Sequence, residues 1–147
     1  AGLHPTHIDW HCLFNGGRDD IFDMSLGLAN EYGLAVRVGG RHLVDGLLQR
    51  GLPVNEHGVL DSFRLDPATK SAHYEKLLRE LPVGLSEWAV HPAIETDELL
   101  TLEPTGNHVR QTDFDFFTSP KAREIIDEEG IILLSYQPLQ TVWNRNR

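Results

Sequence analysis

Apolar residues along the chain fall into short blocks separated by Gly, Pro and charged residues, and the period changes from block to block. Residues 5–10 read as a short strand. The loop NGGRDD follows, and Asp19 or Asp20 caps a helix carrying Ile21, Phe22, Met24, Leu26 and Leu28 that stops near Gly33. LAVRV (34–38) is a compact apolar run that suits a buried strand. Residues 40–51 place Leu43, Val44, Leu47 and Leu48 at helical spacing. VLDSF (59–63) reads as a strand, and 67–81 as a helix with Pro67 near its first turn and Tyr74, Leu77, Leu78 and Leu81 on one stripe. GLSEWAVHP (84–92) reads as a strand ended by Pro92. Residues 95–110 read as loop with one helical turn. SPKAREIIDEEG (119–130) carries a full set of helix signals: Ser119 as cap, Pro120 at the first position and Gly130 at the stop. IILLSY (131–136) reads as a last strand, and the tail after Pro138 as loose, with Trp143 packing back.

Strand and helix therefore alternate through five strands. That order predicts an α/β fold with parallel strands and helical crossovers, either an open sheet or part of a barrel. Five strands do not close an eight-stranded barrel. In parallel α/β folds, ligands bind at the C-terminal ends of the strands. Polar residues interrupt the apolar blocks at those ends: Asp9 and His11, Arg37, Asp61, Glu87 and His91, and Ser135 with Tyr136. They are expected to converge on one rim.

Composition narrows the partners. The chain has 147 residues, enough for a single domain with a real core. A formal charge of −9 argues against a nucleic-acid partner, which would call for clustered Lys and Arg. No apolar run approaches the ~20 residues of a membrane span, and no leader peptide is visible, so no membrane partner and a cytoplasmic location are expected. Cys12 is the one cysteine, which excludes an internal disulfide; it reads as a packing residue, because nothing around it would lower a thiol pKa. Eight histidines point mildly toward metal or acid–base chemistry.

THIDWH (6–11) is the densest motif. Strand alternation would put His7, Asp9 and His11 on one face. Imidazole and carboxylate are ordinary ligands for zinc and related ions, with one histidine as ligand and a neighbour orienting it. Two structural histidines at a strand end account for the same spacing, and spacing alone does not choose. His91 precedes Pro92, which keeps it out of the helical region. It suits a general acid or base, and equally a half-buried turn histidine. Glu87, inside an apolar strand, calls for a partner, and Arg37 or Arg110 could supply it; this favours a structural ion pair over a catalytic base. His4, His42, His57, His73 and His108 have no such context.

PTHIDWH (5–11) resembles the PTHLDSHxH signature of the YdjC-like carbohydrate deacetylases, which include chitooligosaccharide deacetylase. YGLAVR (32–37), SEWAVHP (86–92), RQTDFDFFTS (110–119) and GIILLSY (130–136) resemble further family elements, in family order across essentially the whole chain. The resemblance implies a TIM-like, irregular β/α barrel and hydrolytic removal of acetyl groups from N-acetylated sugars or oligosaccharides with a divalent metal, Mg or Zn. It implies His11, and with it His7, at the metal, Asp9 shaping the site, and His91 as the acid that protonates the leaving amine. Arg37, Glu87 and Arg110 would support these groups, and Trp10, Trp88 and Tyr136 could stack on sugar rings. The family's Asp-Asp-Phe-Gly and Gly-x-His elements are not in this sequence, Trp10 stands where the family has a small residue, and Cys12-Leu13-Phe14 replaces a run ending in another histidine. The resemblance thus covers the C-terminal half of the family domain, with the barrel's N-terminal strands missing. A complementing N-terminal polypeptide or a second copy of the chain is expected as partner. The alternative is a non-catalytic carbohydrate-binding or regulatory remnant. A phosphoesterase is weaker, since no Gly-rich phosphate loop is present.

Overall fold

The computed structural model describes residues 2–11 and 18–146, which form two compact units, one from 1–58 and 133–147, the other from 59–132. The first unit contains β1 (His7–Ile8), α1 (Asp19–Tyr32), β2 (Ala35–Val36), α2 (Arg41–Gln49) and α7 (Tyr136–Asn146). The second contains β3 (Leu60–Asp61), α3 (Lys70–Arg79), β4 (Trp88–Ala89), α4 (Asp97–Leu102), α5 (Asn107–Phe117) and α6 (Pro120–Glu128). Cys12, read as a packing residue, and Leu13 and Phe14 lie outside the described residues.

Each unit is built on one parallel strand pair. β1 pairs with β2, His7 opposite Ala35 and Ile8 opposite Val36. β3 pairs with β4, Leu60 opposite Trp88 and Asp61 opposite Ala89. Parallel neighbours need a crossover, and α1 and α3 lie between the paired strands in sequence. The chain is thus a helix-rich α/β protein with short parallel strands.

In the first unit, Asp19 and Asp20 fall in the first turn of α1, where a carboxylate suits the helix dipole, while Arg18 holds the cap position expected for an aspartate. Gly33 ends the helix at φ 68°, a left-handed conformation that a Cβ disfavours. Phe22 and Ala29 of α1, Val36 of β2, and Val44 and Leu47 of α2 are buried together. Met24 and Leu28, among the apolar residues this helix carries, are exposed.

The second unit's core is Tyr74, Leu78, Phe116, Ala122 and Ile125, joined by Trp88 and Phe117. Pro67 lies before the helix rather than in its first turn, because α3 starts at Lys70. Ser119 caps α6, its Oγ accepting from the Ala122 N–H at 3.1 Å, with Pro120 at the helix start and Gly130 at φ 64° just past its end.

Three expectations are corrected. Residues 95–110 are not loop: α4 and the start of α5 occupy them. The buried stripe of α5, Val109, Asp113 and Phe116, carries a carboxylate at its centre, which hides its helical period. IILLSY forms no strand. Ile132, Leu133 and Leu134 are exposed, and Tyr136 opens a helix. A strand exists through its neighbour, and no described strand pairs with this run. The tail after Pro138 is not loose, because α7 runs to Asn146. Pro138 falls in its first turn, where a missing N–H removes no helical hydrogen bond. Trp143 does pack back, 2% exposed, with its indole N–H on the Pro53 carbonyl at 2.9 Å. None of the described helices is long and apolar enough to cross a membrane.

Candidate functional site

In the first unit the THIDWH motif leaves its strand early. β1 ends at Ile8 and His11 lies in a 3-10 turn, so strand alternation does not carry His7, Asp9 and His11 onto one face. The His7 ring stacks on Tyr136, centroids 3.9 Å apart and planes 14° from parallel, and its Nδ1 is 3.1 Å from Thr6 Oγ1. Tyr136 is therefore a partner of the motif histidine. Asp9 follows β1, Arg37 follows β2, and the parallel pairing sets them side by side: Arg37 Nη1 reaches both Asp9 oxygens, at 3.2 and 3.3 Å. Trp10 and His11 are exposed.

A metal centre asks for three or more ligands from one place. Among the described residues, no three His, Cys, Asp or Glu side chains gather closely enough to hold an ion. Asp9 is bound to a guanidinium and His7 is stacked. The described residues of this chain do not make a metal site by themselves.

The second unit holds a better-defined arrangement around His91, two residues past β4. Its backbone N–H donates to Asp113 Oδ2 at 2.8 Å. Its Nδ1 lies 2.9 Å from Ser62 Oγ, at the end of β3. The Phe63 ring meets it edge-on, centroids 4.7 Å apart. Backbone, one ring nitrogen and ring face are thus all held. Asp113 is fully buried on α5. Its Oδ1 accepts from Lys70 Nζ at 2.9 Å and from the Tyr74 hydroxyl at 2.8 Å, and Lys70 also donates to the Val109 carbonyl at 3.0 Å.

Burial works against the Asp113 charge, yet hydrogen bonds from Ser62, the His91 amide, Lys70 and Tyr74 outweigh it and hold the carboxyl below the usual aspartate range. Burial, and then the hydrogen bond and charge of Asp113, push the Tyr74 phenol far above its ordinary value. Tyr74 therefore serves as a donor and not as a base.

The other expected residues are placed as follows. Glu87 is half-buried immediately before β4, and its carbonyl accepts from Leu60 N–H at 3.3 Å. Arg110 on α5 pairs with Glu103 and sits over the Phe63 ring, 5.3 Å from its centroid. Asp61 caps the short 3-10 turn Ser62–Arg64, accepting from Phe63 N–H at 3.0 Å. Ser135 precedes a helix and ends no strand.

Sequence reasoning missed Ser62, Lys70, Tyr74 and Asp113. A signal was there. Lys70 and Tyr74 are four apart on the apolar stripe of α3, and a lysine on such a stripe calls for a buried anion. Asp113 lies within the quoted RQTD element, in which only Arg110 was singled out.

Residues 1–128 match the family model described as YdjC-like protein. The chain belongs to the YdjC-like family. This is a family of carbohydrate deacetylase type. No curated protein matches the YdjC-like chain. Among solved structures it is similar to a protein of Enterococcus faecalis V583 provisionally named for cellobiose-phosphate cleavage, with a TM-score of 0.73 and 28% identity. The match covers 94% of this chain and 54% of that one, so the YdjC-like chain spans about half the length of its structural neighbour.

Proposed function

We propose that this YdjC-like chain is part of a divalent-metal-dependent hydrolase that removes acetyl groups from N-acetylated sugars or oligosaccharides, on a fold that is a portion of an irregular TIM-like barrel. The observation that carries the reading is the setting of His91. Amide hydrolysis adds water to the acetamide carbonyl and breaks the C–N bond, and the departing nitrogen needs a proton. His91 supplies that proton. Its ring is oriented by Ser62 and Phe63 and its backbone by a buried carboxylate, which suits a group that must keep one orientation. Arg110, stacked on the same Phe63 ring, and Glu87, just before β4, support this end of the strand pair.

In the first unit, His11 is the proposed ligand for Mg or Zn, with Asp9 and His7 shaping its surroundings. The rest of the ligand set would come from groups beyond this one chain, on a complementing N-terminal polypeptide or on a second copy of the chain. Trp10, 39% exposed, is offered as a sugar-stacking residue. Its exposure, together with the engagement of Asp9 by Arg37, also supports the second reading, a carbohydrate-binding module without catalysis.

Native mass spectrometry, followed by acetate release from N-acetylated chitooligosaccharides with Mg or Zn added, tests the proposal on the chain and on any complex it forms. His91→Ala is expected to lower turnover by about 10²–10⁴-fold, the usual worth of a positioned acid. His11→Ala is expected to remove bound metal. Sugar binding with no acetate released under any metal would favour the binding module.

A further inference from the structure

A sugar ring has polar edges and apolar C–H faces, and an exposed aromatic ring is the side chain that suits such a face. Two of the aromatics expected in that role are engaged elsewhere. Tyr136 stacks on His7, and the half-buried Trp88 lies against Tyr74, centroids 5.8 Å apart. Phe63 has the opposite character: it keeps 40% of its surface exposed. Its ring touches His91, centroids 4.7 Å apart, and Arg110, whose guanidinium carbon stands 5.3 Å from the ring centre. It lies outside the cluster of Tyr74, Leu78, Phe116, Ala122 and Ile125 that forms the core of the second unit. Single exposed apolar residues are ordinary on a surface, but this one is held in place. The 3-10 turn Ser62–Arg64 carries it, Asp61 Oδ1 accepts from its N–H at 3.0 Å, and Glu103 anchors the Arg110 that covers part of the ring. A ring fixed in position and left in water gains from a ligand without the cost of being ordered by it.

We propose that Phe63 is a substrate-contacting specificity residue, the wall on which the C–H face of the N-acetylated sugar unit rests while its nitrogen faces His91. The proposal builds on the reading of His91 as proton donor. A nitrogen that takes a proton from His91 sits about 3 Å from that ring. The sugar ring is one bond further on, within contact range of a phenylalanine ring whose centre is 4.7 Å from that of the histidine. A single flat, exposed ring suits a flat partner; the acetyl methyl, a small round group, would call for a pocket closed around it. Phe63 therefore selects for the sugar ring that carries the amide, and Arg110 and Glu103 act on the substrate through it, as positioning residues.

The test is NMR of the full chain, or of any complex it forms, with labelled phenylalanine and N-acetylated chitotriose as the probe. The Phe63 signals are assigned by their loss in Phe63→Leu. Contacts between the Phe63 ring protons and the C–H protons of a sugar ring are expected, with those sugar protons shifted upfield by the aromatic ring. Phe63→Leu keeps apolar bulk but loses the ring, and is expected to weaken sugar binding by about 3–10-fold; Phe63→Tyr, which restores a ring, is expected to recover it. Contacts to the acetyl methyl alone, a sugar bound with the Phe63 signals unmoved, no sugar bound at all, or unchanged affinity in a folded Phe63→Leu chain would each overturn the proposal. Should the Phe63 variants not fold, the wild-type contacts decide alone, with the Phe63 signals assigned through their contacts to the His91 ring. Acetate release that stops in His91→Gln but keeps its KM in Phe63→Leu removes the role of Phe63 and leaves the proton donor standing. Sugar contacts at Phe63 with acetate release unaffected by His91→Gln do the reverse, so the two claims fail separately.

Discussion

Lys70 has no side-chain surface in water, which a lysine accepts only beside an anion. Asp113 provides it, together with hydrogen bonds to Tyr74 and the His91 amide, so one carboxylate organises α3, α5 and the end of β4. Asp113→Asn leaves the ammonium buried without its countercharge. We expect a loss of about 3–5 kcal/mol in chemical denaturation. A change below 1 kcal/mol would mean that the network relaxes at little cost. Its pH dependence has a definite sign. A carboxyl held low in the folded state stabilises above the unfolded aspartate value of about 3.9 and loses that contribution as pH falls through and below it. A phenol held high stabilises below the unfolded tyrosine value of about 10 and loses its contribution as pH rises beyond it. Stability of the 59–132 unit should therefore decline at both ends of the scale, and Asp113→Asn should flatten the acid side. Residue roles were only partly legible in advance. His91 and Arg37 stand out because they interrupt apolar runs. Asp113 does not, because its meaning depends on a lysine 43 positions away.

At the scale of elements, legibility followed how local the determining forces are. α6 is bounded by Ser119, Pro120 and Gly130, all acting within one turn, and the structure matches the reading. Ser119→Ala removes the oxygen that receives the Ala122 N–H, and is expected to cost about 1 kcal/mol in thermal or denaturant unfolding. No measurable change would assign the helix start to Pro120 alone. Strands depend on partners far along the chain, and here composition overreached. LAVRV yields two paired residues, Ala35 and Val36, and IILLSY yields none. β1 stops at Ile8, which undoes the two-residue spacing argument for THIDWH. What survives from that motif is the Asp9–Arg37 pair, fixed by the parallel register of β1 and β2.

For the whole molecule, the order of alternating elements points to α/β and the charge of −9 argues against a nucleic-acid partner, neither naming the site, and the family match carries the rest. The first unit is closed by α7: Trp143 donates to the Pro53 carbonyl, Gln140 to the Gly33 carbonyl at 2.7 Å, and Asn146 to the Gly51 carbonyl at 2.8 Å. Trp143→Ala should therefore act on the unit formed by 1–58 and 133–147 and cost about 3–5 kcal/mol. Hydrogen exchange of the amides of α1 and α2 would check it, with faster exchange there expected and that of α3 and α6 unchanged. Equal acceleration in both units would mean that they unfold as one.

That closing helix also sets an order of events. On a ribosome, β1, α1, β2 and α2 emerge ahead of 59–132, yet the α7 side chains that complete their core follow only after all of 59–132 has been translated. At roughly 5–20 residues per second, the early segment waits on the order of ten seconds with the core that holds Val36, Val44 and Leu52 still without Trp143. The later segment has its own core and needs no such delay. Nascent chains are then expected to complete the 59–132 unit before the first unit, with the β1–β2 strand pair the portion that a chaperone would shield.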